Sequence, residues 1–345
     1  MKKSLLTFIA AILVLAVLAA CASPGSNEAP QTPEASDAAP EAPEAPEASE
    51  DNAGGLDLSQ ARAGLAIHFL TDDYGVIASQ AFEEVMRDAG VGTISVLDAN
   101  GDAQKQLADM ESFVDQGYDM IVILPIDELG IVDIINRATE QGIIVVAISY
   151  IPGANVTATV NAKDFEFSYE VGSELAALMN YEGTIAFIDA SVDPMRITER
   201  RRGFMAVVDE HPGLEIVTIE RRLMPDEARI AAEGILIAHP ELDAIWGIFS
   251  NLLYGAAAAA RDMGRDELII GGVDADMAIL NLMREGWIHA VAAQLPYSAG
   301  ELAAQAALNA FLGNPVSEEY LSDHVIYLQG QEEQAALEVW NRPLE

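Results

Sequence analysis

The stretch that decides the fold reads Met120-Ile-Val-Ile-Leu-Pro125, continues through a helical pattern over about residues 128–141, and ends with Ile143-Ile-Val-Val-Ala-Ile148. Both apolar runs are continuous rather than alternating, as expected of parallel strands that helices cover on both faces. Parallel strands need a long crossover between them, and the intervening helix supplies it. The stretch therefore predicts a βαβ unit in an α/β protein.

The same alternation of strands and helices extends outward in both directions. Further strand-like runs lie at residues 64–70, 93–97, 184–188, 214–218, 244–248, 268–272 and 289–293. Helical patterns between them cover about residues 76–89, 103–117, 197–210, 226–238, 251–263 and 276–285. At residues 156–160 one strand follows another after a loop too short for a crossover helix, and a second series of strands and helices then begins at residue 184. The two series predict two doubly wound parallel-sheet lobes around one cleft, where ligands bind beyond the carboxyl ends of the strands.

The N-terminus carries the pattern of a secretory signal peptide over residues 1–20. Lys2 and Lys3 precede an apolar run that ends at Ala20 and is short for a membrane span of about 20 residues. The run leads into Leu18-Ala19-Ala20-Cys21, which resembles the bacterial lipobox, and Cys21 is the only cysteine of the chain. We therefore expect a lipid attached at Cys21, with a simple N-terminal membrane anchor as the alternative.

Residues 21–58 differ from the rest of the chain in composition. They repeat Glu-Ala-Pro, as in Pro40-Glu41-Ala42-Pro43, and contain neither Lys nor Arg nor any aromatic residue. Such a segment cannot bury enough apolar surface to offset its ordering entropy, while proline and like charges extend it. The composition predicts an acidic tether that holds a folded part away from the membrane.

The net charge of −37 bears on the class of partner. Nucleic-acid binding needs a basic footprint, so we expect no nucleic-acid partner. The acidity is typical of a solvated surface that keeps a protein soluble. With a single cysteine, the chain forms no internal disulfide.

No cluster of residues predicts catalysis. The chain has no P-loop, no Gly-x-Gly-x-x-Gly after its first strand and no Gly-x-Ser-x-Gly elbow. Its five histidines show no metal-ligand spacing, and we expect neither a metal nor a cofactor. The alternative is a secreted α/β enzyme that uses Asp72, Asp127 and Asp274 as acid and base. Nothing in the sequence places two of these carboxylates beside a nucleophile.

Three short motifs carry a resemblance that covers about residues 63–328. Gly272-Val273-Asp274 is followed, at the end of the next strand, by Gln294-Leu295-Pro296. Glu199-Arg200-Arg201-Arg202-Gly203-Phe204 forms an arginine-rich helix start, and Leu124-Pro125-Ile126-Asp127 is a further match. In these residues the chain resembles the ribose-binding protein family of type I periplasmic binding proteins.

The resemblance implies two lobes joined by three hinge crossings. The first lobe would hold residues 59–162 and 295–322, and the second would hold residues 163–294 and 323–345. Proteins of this family bind a monosaccharide between the lobes, close by hinge bending and present the closed form to an ABC permease. The resemblance implies a monomer that does the same.

The resemblance also implies a set of ligand-binding residues. Arg200 would be the cleft arginine, whose planar fork of donors suits adjacent hydroxyls or a ring oxygen. Because three arginines run together, this assignment could shift by one position. Asp274 would accept hydrogen bonds from hydroxyls, and Gln294, at a hinge crossing, would offer its amide. The structural alternatives are a surface charge for Arg200, a helix N-cap for Asp274 and a hinge hydrogen bond for Gln294.

Three further residues lie in loops where the family contacts its ligand. Tyr74 matches an aromatic residue that packs against the C–H face of the sugar, with ordinary packing at a helix start as the alternative. Asp72, in the same loop, matches a polar contact. Asp127 belongs to the candidate site, although capping of the following helix is the better interpretation of that residue.

The chain departs from the family pattern at four places. It has Leu124 in place of Asn, Ser149-Tyr150 in place of an Asp-Arg pair, Lys163-Asp164 in place of Asp-Asn and Phe249-Ser250 in place of Asn-Asp. A site that hydrogen-bonds each hydroxyl rejects analogues that lack one, so fewer polar groups imply a ligand with fewer hydroxyls or with a flat part. We therefore place Ser149, Tyr150 and Phe249 in the site, with Tyr74, Tyr150 and Phe249 as an aromatic sandwich.

Together these observations favour an extracytoplasmic, lipid-anchored solute-binding protein of an ABC transporter over an enzyme. Its ligand would be a monosaccharide, a deoxy sugar or a polyol, with a nucleoside or a furanosyl signal molecule as the alternative. The alternative is a ligand sensor of the same fold that signals to a membrane receptor instead of delivering its ligand to a permease.

Overall fold

A computed structural model of the chain describes residues 57–71 and 73–344. The predicted signal peptide, almost all of the predicted tether with Cys21, and the candidate site residue Asp72 lie outside the described residues. Within the described ranges, no helix combines the length and the apolar character that crossing a membrane requires.

Strands and α-helices alternate along the described residues, after a short 3-10 helix at Leu58–Gln60. The strands are β1 (Arg62–Ile67), β2 (Thr93–Asp98), β3 (Met120–Ile123), β4 (Ile144–Ile148), β5 (Ala158–Ala162), β6 (Gly183–Ala190), β7 (Leu214–Arg222), β8 (Ala244–Gly247), β9 (Ile269–Val273), β10 (Ala290–Gln294), β11 (Glu319–Ser322) and β12 (His324–Leu328). The helices are α1 (Asp73–Asp88), α2 (Ala103–Asp115), α3 (Val132–Glu140), α4 (Asp164–Leu178), α5 (Met195–Glu210), α6 (Pro225–Ala238), α7 (Ser250–Met263), α8 (Met277–Arg284), α9 (Pro296–Phe311) and α10 (Glu332–Trp340).

These strands form two six-stranded sheets of the same order. The first runs β11-β5-β4-β3-β1-β2 and the second runs β12-β10-β9-β8-β6-β7. Neighbouring strands are parallel except β12, which pairs antiparallel with β10. The prediction of two doubly wound α/β lobes is confirmed, and the antiparallel edge strand β12 is a departure from a purely parallel sheet.

The chain passes between the two sheets three times, between β5 and α4, between β10 and α9, and between β11 and β12. The crossings are tied to one another at Asp323. Its carboxylate lies 2.8 Å from Lys163 Nζ of the first crossing. Its backbone carbonyl accepts a hydrogen bond from the backbone N–H of Leu295, in the second crossing, at 3.3 Å. The three crossings therefore form one connected hinge.

Helices cover both faces of the first sheet. Leu65 and Ile67 of β1 are buried in the core formed with α1 and α9, while Ala66 is buried in the core formed with α2 and α3. Gly64 lies against α2, where an added Cβ would come within 2.8 Å of the Phe113 ring. Glycine at this position therefore allows the close approach of α2 to the sheet.

The second lobe buries one continuous core, and the Gly203-Phe204 motif is part of it. Phe204 stacks on Trp246 with ring centroids 4.0 Å apart. An added Cβ on Gly203 would lie 2.2 Å from the backbone oxygen of Phe165, so glycine lets α5 pack directly on α4. This packing fixes the face of α5 that carries Arg200.

The sequence patterns did not mark β11, β12 or the helices α4, α9 and α10. β11 has only four residues, and Glu319 and Leu321 are exposed, so it lacks the continuous apolar run of the inner strands. β12 is only half-buried over most of its length. Edge strands of this kind carry a weak hydrophobic signal because one side has no neighbour.

Candidate functional site

The two lobes and the hinge enclose a cavity of about 670 Å³, which we call the first cavity. Tyr74 and Tyr150 line it from the first lobe, and Arg200 lines it from the second. Asp164 and Gln294, at two of the hinge crossings, line it as well. A cavity of this size between two lobes suits a small-molecule ligand.

A second cavity of about 650 Å³ adjoins the first, because Tyr74 and Gln294 line both. Asp274, Trp340 and Arg342 also line this second cavity. The indole N–H of Trp340 donates to the backbone oxygen of Ala275 at 2.7 Å, which fixes the ring at the cavity wall. We refer to the two cavities together as the cleft.

Arg200 is the most deeply buried charged residue that lines the cleft, at 4% exposure. Its Nε donates to Asp164 Oδ1 at 2.7 Å, and its Nη1 lies 3.7 Å from Asp274 Oδ1. The guanidinium lies over the ring of Phe167 at 5.2 Å, and the backbone oxygen of Arg200 accepts from Ser168 Oγ at 2.7 Å. These contacts hold the side chain in one orientation.

Arg200 and Asp164 each stabilise the charged form of the other. Burial lowers the pKa of the Arg200 guanidinium, but the carboxylates of Asp164 and Asp274 more than reverse this and leave that pKa above its ordinary value. Burial raises the pKa of Asp164, and the positive charge of Arg200 opposes the rise. Arg200 is therefore fully charged at neutral pH.

The outer donors of Arg200 have no acceptor within the described ranges. Its Nε is the one guanidinium nitrogen that makes a hydrogen bond there, since the 3.7 Å between Nη1 and Asp274 exceeds hydrogen-bond length. These outer nitrogens are not among the fully enclosed polar atoms that lack a partner, so they face the open space of the first cavity. Because Arg200 lines the first cavity, an oxygen of a bound ligand is the group that would satisfy these donors.

Asp274 joins Arg200 to the second hinge crossing. Its Oδ1 accepts from Gln294 Nε2 at 2.9 Å, and its Oδ2 accepts from the backbone N–H of Ser250 at 3.2 Å. The φ of Asp274 is +79°, an uncommon value for a residue with a side chain. Asp164, Arg200, Asp274 and Gln294 thus form one chain of polar contacts along the cleft.

Three candidates on the first lobe, Tyr74, Ser149 and Tyr150, line the first cavity. Tyr74 packs edge-on against His68, with ring centroids 6.4 Å apart. Ser149 has a φ of +112° and lines the cavity, and Tyr150 lines it while remaining 45% exposed. The structure therefore places both tyrosines at the cavity, and their contact with a ligand stays a prediction.

Two candidates line neither cavity. Asp127 is exposed, and its Oδ1 accepts the backbone N–H groups of Leu129 and Gly130 at 3.1 Å, so it caps the turn before α3. Phe249 packs against the core of the second lobe. Of the three residues expected to form an aromatic sandwich, Tyr74 and Tyr150 therefore line the cleft and Phe249 does not.

Two ion pairs join the lobes across the cleft, and sequence reasoning missed both. Arg196 Nη1 lies 3.0 Å from Glu128 Oε1, and both residues line the first cavity. Arg342 Nη2 lies 2.7 Å from Asp73 Oδ2, and both line the second cavity. No sequence period relates partners so far apart along the chain. Asp164 was also missed as a site residue, although its departure from the family pattern was a signal.

Among residues 57–71 and 73–344, no group of three or more His, Cys, Asp or Glu side chains is arranged to hold a metal ion. The polar groups at the cleft include arginine, carboxylate and amide side chains, which bind hydroxyl and amine groups through hydrogen bonds. The arrangement is chemically suited to holding a small polar molecule.

Comparison with known proteins agrees with this geometry. The family model of the periplasmic binding protein domain matches residues 63–315. The ribose import binding protein RbsB of Bacillus subtilis is 26% identical over 255 residues, which is 73% of this chain and 82% of that protein. The arabinose-binding protein AraP of Geobacillus stearothermophilus has a TM-score of 0.74 at 20% identity, covering 80% of this chain and 99% of its own. An ABC transporter solute-binding protein of Bacillus halodurans with bound myo-inositol has a TM-score of 0.71 at 24% identity, and the match covers 82% of this chain and 100% of that one.

Proposed function

Because the chain belongs to the ribose-binding protein family of type I periplasmic binding proteins, we propose that it captures a small hydroxylated ligand in its cleft and delivers it to an ABC permease. The protein acts as a monomer outside the cytoplasm, and binding rather than catalysis is its role. The family supports this reading, and so do the two lobes joined by a hinge.

The observation that carries the proposal is the set of contacts that Arg200 makes and leaves unmade. It is buried and held by Asp164, yet its outer donors have no acceptor within the described part of the chain. A ligand with two adjacent oxygens fits a planar fork of donors. Tyr74 and Tyr150 offer apolar ring surface for the C–H groups of the same ligand.

The ligand class we propose is a monosaccharide, a deoxy sugar or a polyol. Named relatives support this class, since the similar proteins include a ribose import binding protein, an arabinose-binding protein and a protein with bound myo-inositol. The replacement of family polar residues by Ser149-Tyr150 and Phe249 favours a ligand with fewer hydroxyls than ribose presents.

We further propose that a lipid on Cys21 holds the protein at the outer face of the cell membrane. The lipobox-like sequence and the acidic tether of residues 21–58 support this. Substitution Cys21→Ser should release the protein from the membrane fraction and abolish labelling by a radioactive fatty acid. Retention of the Cys21→Ser variant in the membrane, still labelled, would contradict the proposal.

A thermal-shift screen of residues 59–345 tests the binding function. The panel holds pentoses, hexoses, deoxy sugars, polyols, nucleosides and amino acids. A ligand at 100 times its Kd adds about 2.7 kcal/mol of stability, which a melting curve resolves. A shift with a sugar or polyol supports the proposal, and a shift with nucleosides alone replaces the ligand class. Consumption of the ligand during the assay would overturn the binding role in favour of an enzyme.

Variants of Arg200 test the site. Loss of hydrogen bonds from a charged donor costs about 1.5–3 kcal/mol, so Arg200→Ala should weaken binding roughly tenfold to hundredfold. Arg200→Lys keeps the positive charge but loses the planar fork of donors, and it replaces the alanine variant in this test if the alanine variant does not fold. Arg229, a half-exposed arginine of α6 that pairs with Glu233, is the matched control. Unchanged affinity in both Arg200 variants would contradict the assignment.

A further inference from the structure

The charges around Arg200 do not balance. Asp164 and Asp274 both approach Arg200, and the three side chains are exposed by only 11%, 25% and 5%, respectively. Two carboxylates and one guanidinium leave one surplus negative charge at the centre of the cleft. Partly buried charges are stable when a partner of opposite sign compensates them.

The other cations that line the cleft are each paired with another carboxylate, although the positive charge of Arg196 also opposes the rise in the pKa of Asp164. Arg196 is paired with Glu128, and Arg342 is paired with Asp73. Lys163 is paired with Asp323 in the hinge. Within the described ranges, the lysines and arginines at the cleft are thus all engaged by other carboxylates, while Asp274 keeps two neutral donors and a distant guanidinium.

The surroundings of Asp274 also favour a positive group. Asp276, two residues further along the chain, adds a second carboxylate to the same cavity. One oxygen of Asp276 is engaged by Tyr254 and by the N-terminus of α8. Tyr74 and Trp340 line the cavity with aromatic rings, whose faces attract cations.

An independent observation also points to a ligand at this place. Arg200 as a whole is only 4% exposed, and its outer donors find no acceptor in the described part of the chain. The same ligand that gives oxygens to Arg200 therefore lies beside the carboxylate of Asp274, 3.7 Å away from Nη1.

We propose that the cleft selects a sugar or polyol that carries a protonated amine, with the ammonium group bound by Asp274 and neighbouring hydroxyls bound by Arg200. The proposal rests on the binding function above and names its ligand class. An ammonium group brings three donors and one positive charge, which balances the surplus carboxylate. A carboxylate or phosphate on the ligand would meet Asp164 and Asp274 and is rejected.

Matched ligand pairs test the proposal on the parent protein. Titration calorimetry near pH 6, about two units below the pKa of a typical α-amino group, compares D-glucosamine with D-glucose, D-galactosamine with D-galactose, and an inosamine with myo-inositol. At least one amino member should bind about tenfold more tightly than its hydroxyl analogue, as a charge-assisted hydrogen bond provides. D-glucuronate and D-galacturonate should not bind.

The variant Asp274→Asn separates this contact from the general acidity of the chain. It keeps an acceptor for Gln294 but removes the charge, so the preference for the amine should fall to about one. Asp262→Asn, which neutralises a half-exposed carboxylate paired with Arg229, should leave the preference unchanged. A preference that comes from Asp274 should also persist at about 0.5 M salt, where long-range attraction is screened.

The outcomes distinguish this inference from the proposed function. If the neutral sugars bind as tightly as their amino analogues, the amine selectivity is wrong and the binding function stands. If a preference for amines survives in Asp274→Asn and disappears with salt, the assignment to Asp274 is wrong. If neither neutral nor amino sugars and polyols bind, the proposed function fails, and this inference fails with it.

Discussion

Ser149 and Asp274 occupy equivalent positions in the two halves of the molecule, and both have a positive φ, +112° and +79°. Ser149 follows β4 and Asp274 follows β9, which hold the same place in the two sheets. Each residue donates its backbone N–H to the next strand of its lobe, Ser149 to Val160 at 3.0 Å and Asp274 to Ala292 at 2.9 Å. Each lines one of the two cavities. The cleft is thus flanked by the same unusual turn from both lobes.

Glycine at position 149 should relieve the backbone strain of this turn. A side chain held at positive φ costs about 1–3 kcal/mol, and glycine adopts such values without that cost. We expect Ser149→Gly to raise the free energy of unfolding by about 1 kcal/mol, since glycine also has a more flexible unfolded state. Urea denaturation monitored by circular dichroism measures the change.

Ser191, an exposed loop residue that is not among those with positive φ, is the matched control. Ser191→Gly should leave stability unchanged or lower it slightly. A loss of stability in Ser149→Gly equal to that of the control would show that the backbone at Ser149 is not strained.

Much of the fold could be predicted from the sequence because its inner strands are continuously apolar. Runs such as Met120–Ile123 and Ile144–Ile148 are buried on both faces and leave a strong signal. The edge strand β11 was missed because it is short, with alternate residues exposed, and its partner β5 lies far away in the sequence. Strand pairing over such distances depends on tertiary contacts that no local pattern records.

Residues of the candidate site could be predicted only where a polar side chain lies within one of the family-like motifs. Arg200, Asp274 and Gln294 lie at the cleft, and their roles toward a ligand stay predictions. Asp164 was noticed only as a departure at the hinge, although it holds Arg200 at 2.7 Å. Phe249 was expected in the cleft, but its ring packs on the core of the second lobe, because a sequence does not show which way a side chain turns at a helix start.

Asp164 should be important for stability as well as for the site. Asp164→Asn keeps the shape of the side chain but removes the main charge that compensates buried Arg200. Breaking a buried pair costs about 3–5 kcal/mol, and because Asp274 remains near Arg200 we expect the lower end of that range. Chemical denaturation at neutral pH measures the loss.

Asp262→Asn is the control for this substitution, since that carboxylate is 45% exposed and pairs with a half-exposed arginine. Exposed pairs contribute about 0–1 kcal/mol, so the control should change stability little. Equal effects of the two substitutions would contradict a special role for the Asp164–Arg200 pair.

The two ion pairs across the cleft should favour the closed form. Glu128–Arg196 and Asp73–Arg342 join opposite lobes and can form only when these lobes approach. Each is partly exposed and contributes about 0.2–1 kcal/mol, so the double variant Glu128→Gln with Asp73→Asn should weaken ligand binding about fivefold. Titration calorimetry with the ligand found by thermal shift measures the affinity.

Salt distinguishes this mechanism from a direct effect on the ligand. The difference between the parent and the double variant should disappear at about 1 M salt, because partly exposed pairs are screened. The pair Arg229–Asp262 lies within the second lobe, and its removal should leave affinity unchanged at any salt concentration. A fivefold difference that persists at high salt would instead place Glu128 or Asp73 in contact with the ligand.

His289 should make the second lobe sensitive to acid. Burial lowers the pKa of its imidazole below the ordinary value of about 6.5, and its Nδ1 accepts the backbone N–H of Ile270 at 3.1 Å. The unfolded chain therefore binds a proton at this residue at a higher pH than the folded chain does. Stability from this residue is full above about pH 6.5 and falls as the pH drops from there through the folded-state pKa.

His289→Asn removes this titration while its side-chain oxygen can still accept the N–H of Ile270. The free energy of unfolding should therefore fall less steeply between about pH 6.5 and pH 5 in the variant than in the parent. Identical slopes for the parent and His289→Asn would mean that His289 takes up its proton equally in both states, and the neutral imidazole would then contribute nothing to the acid sensitivity of the fold.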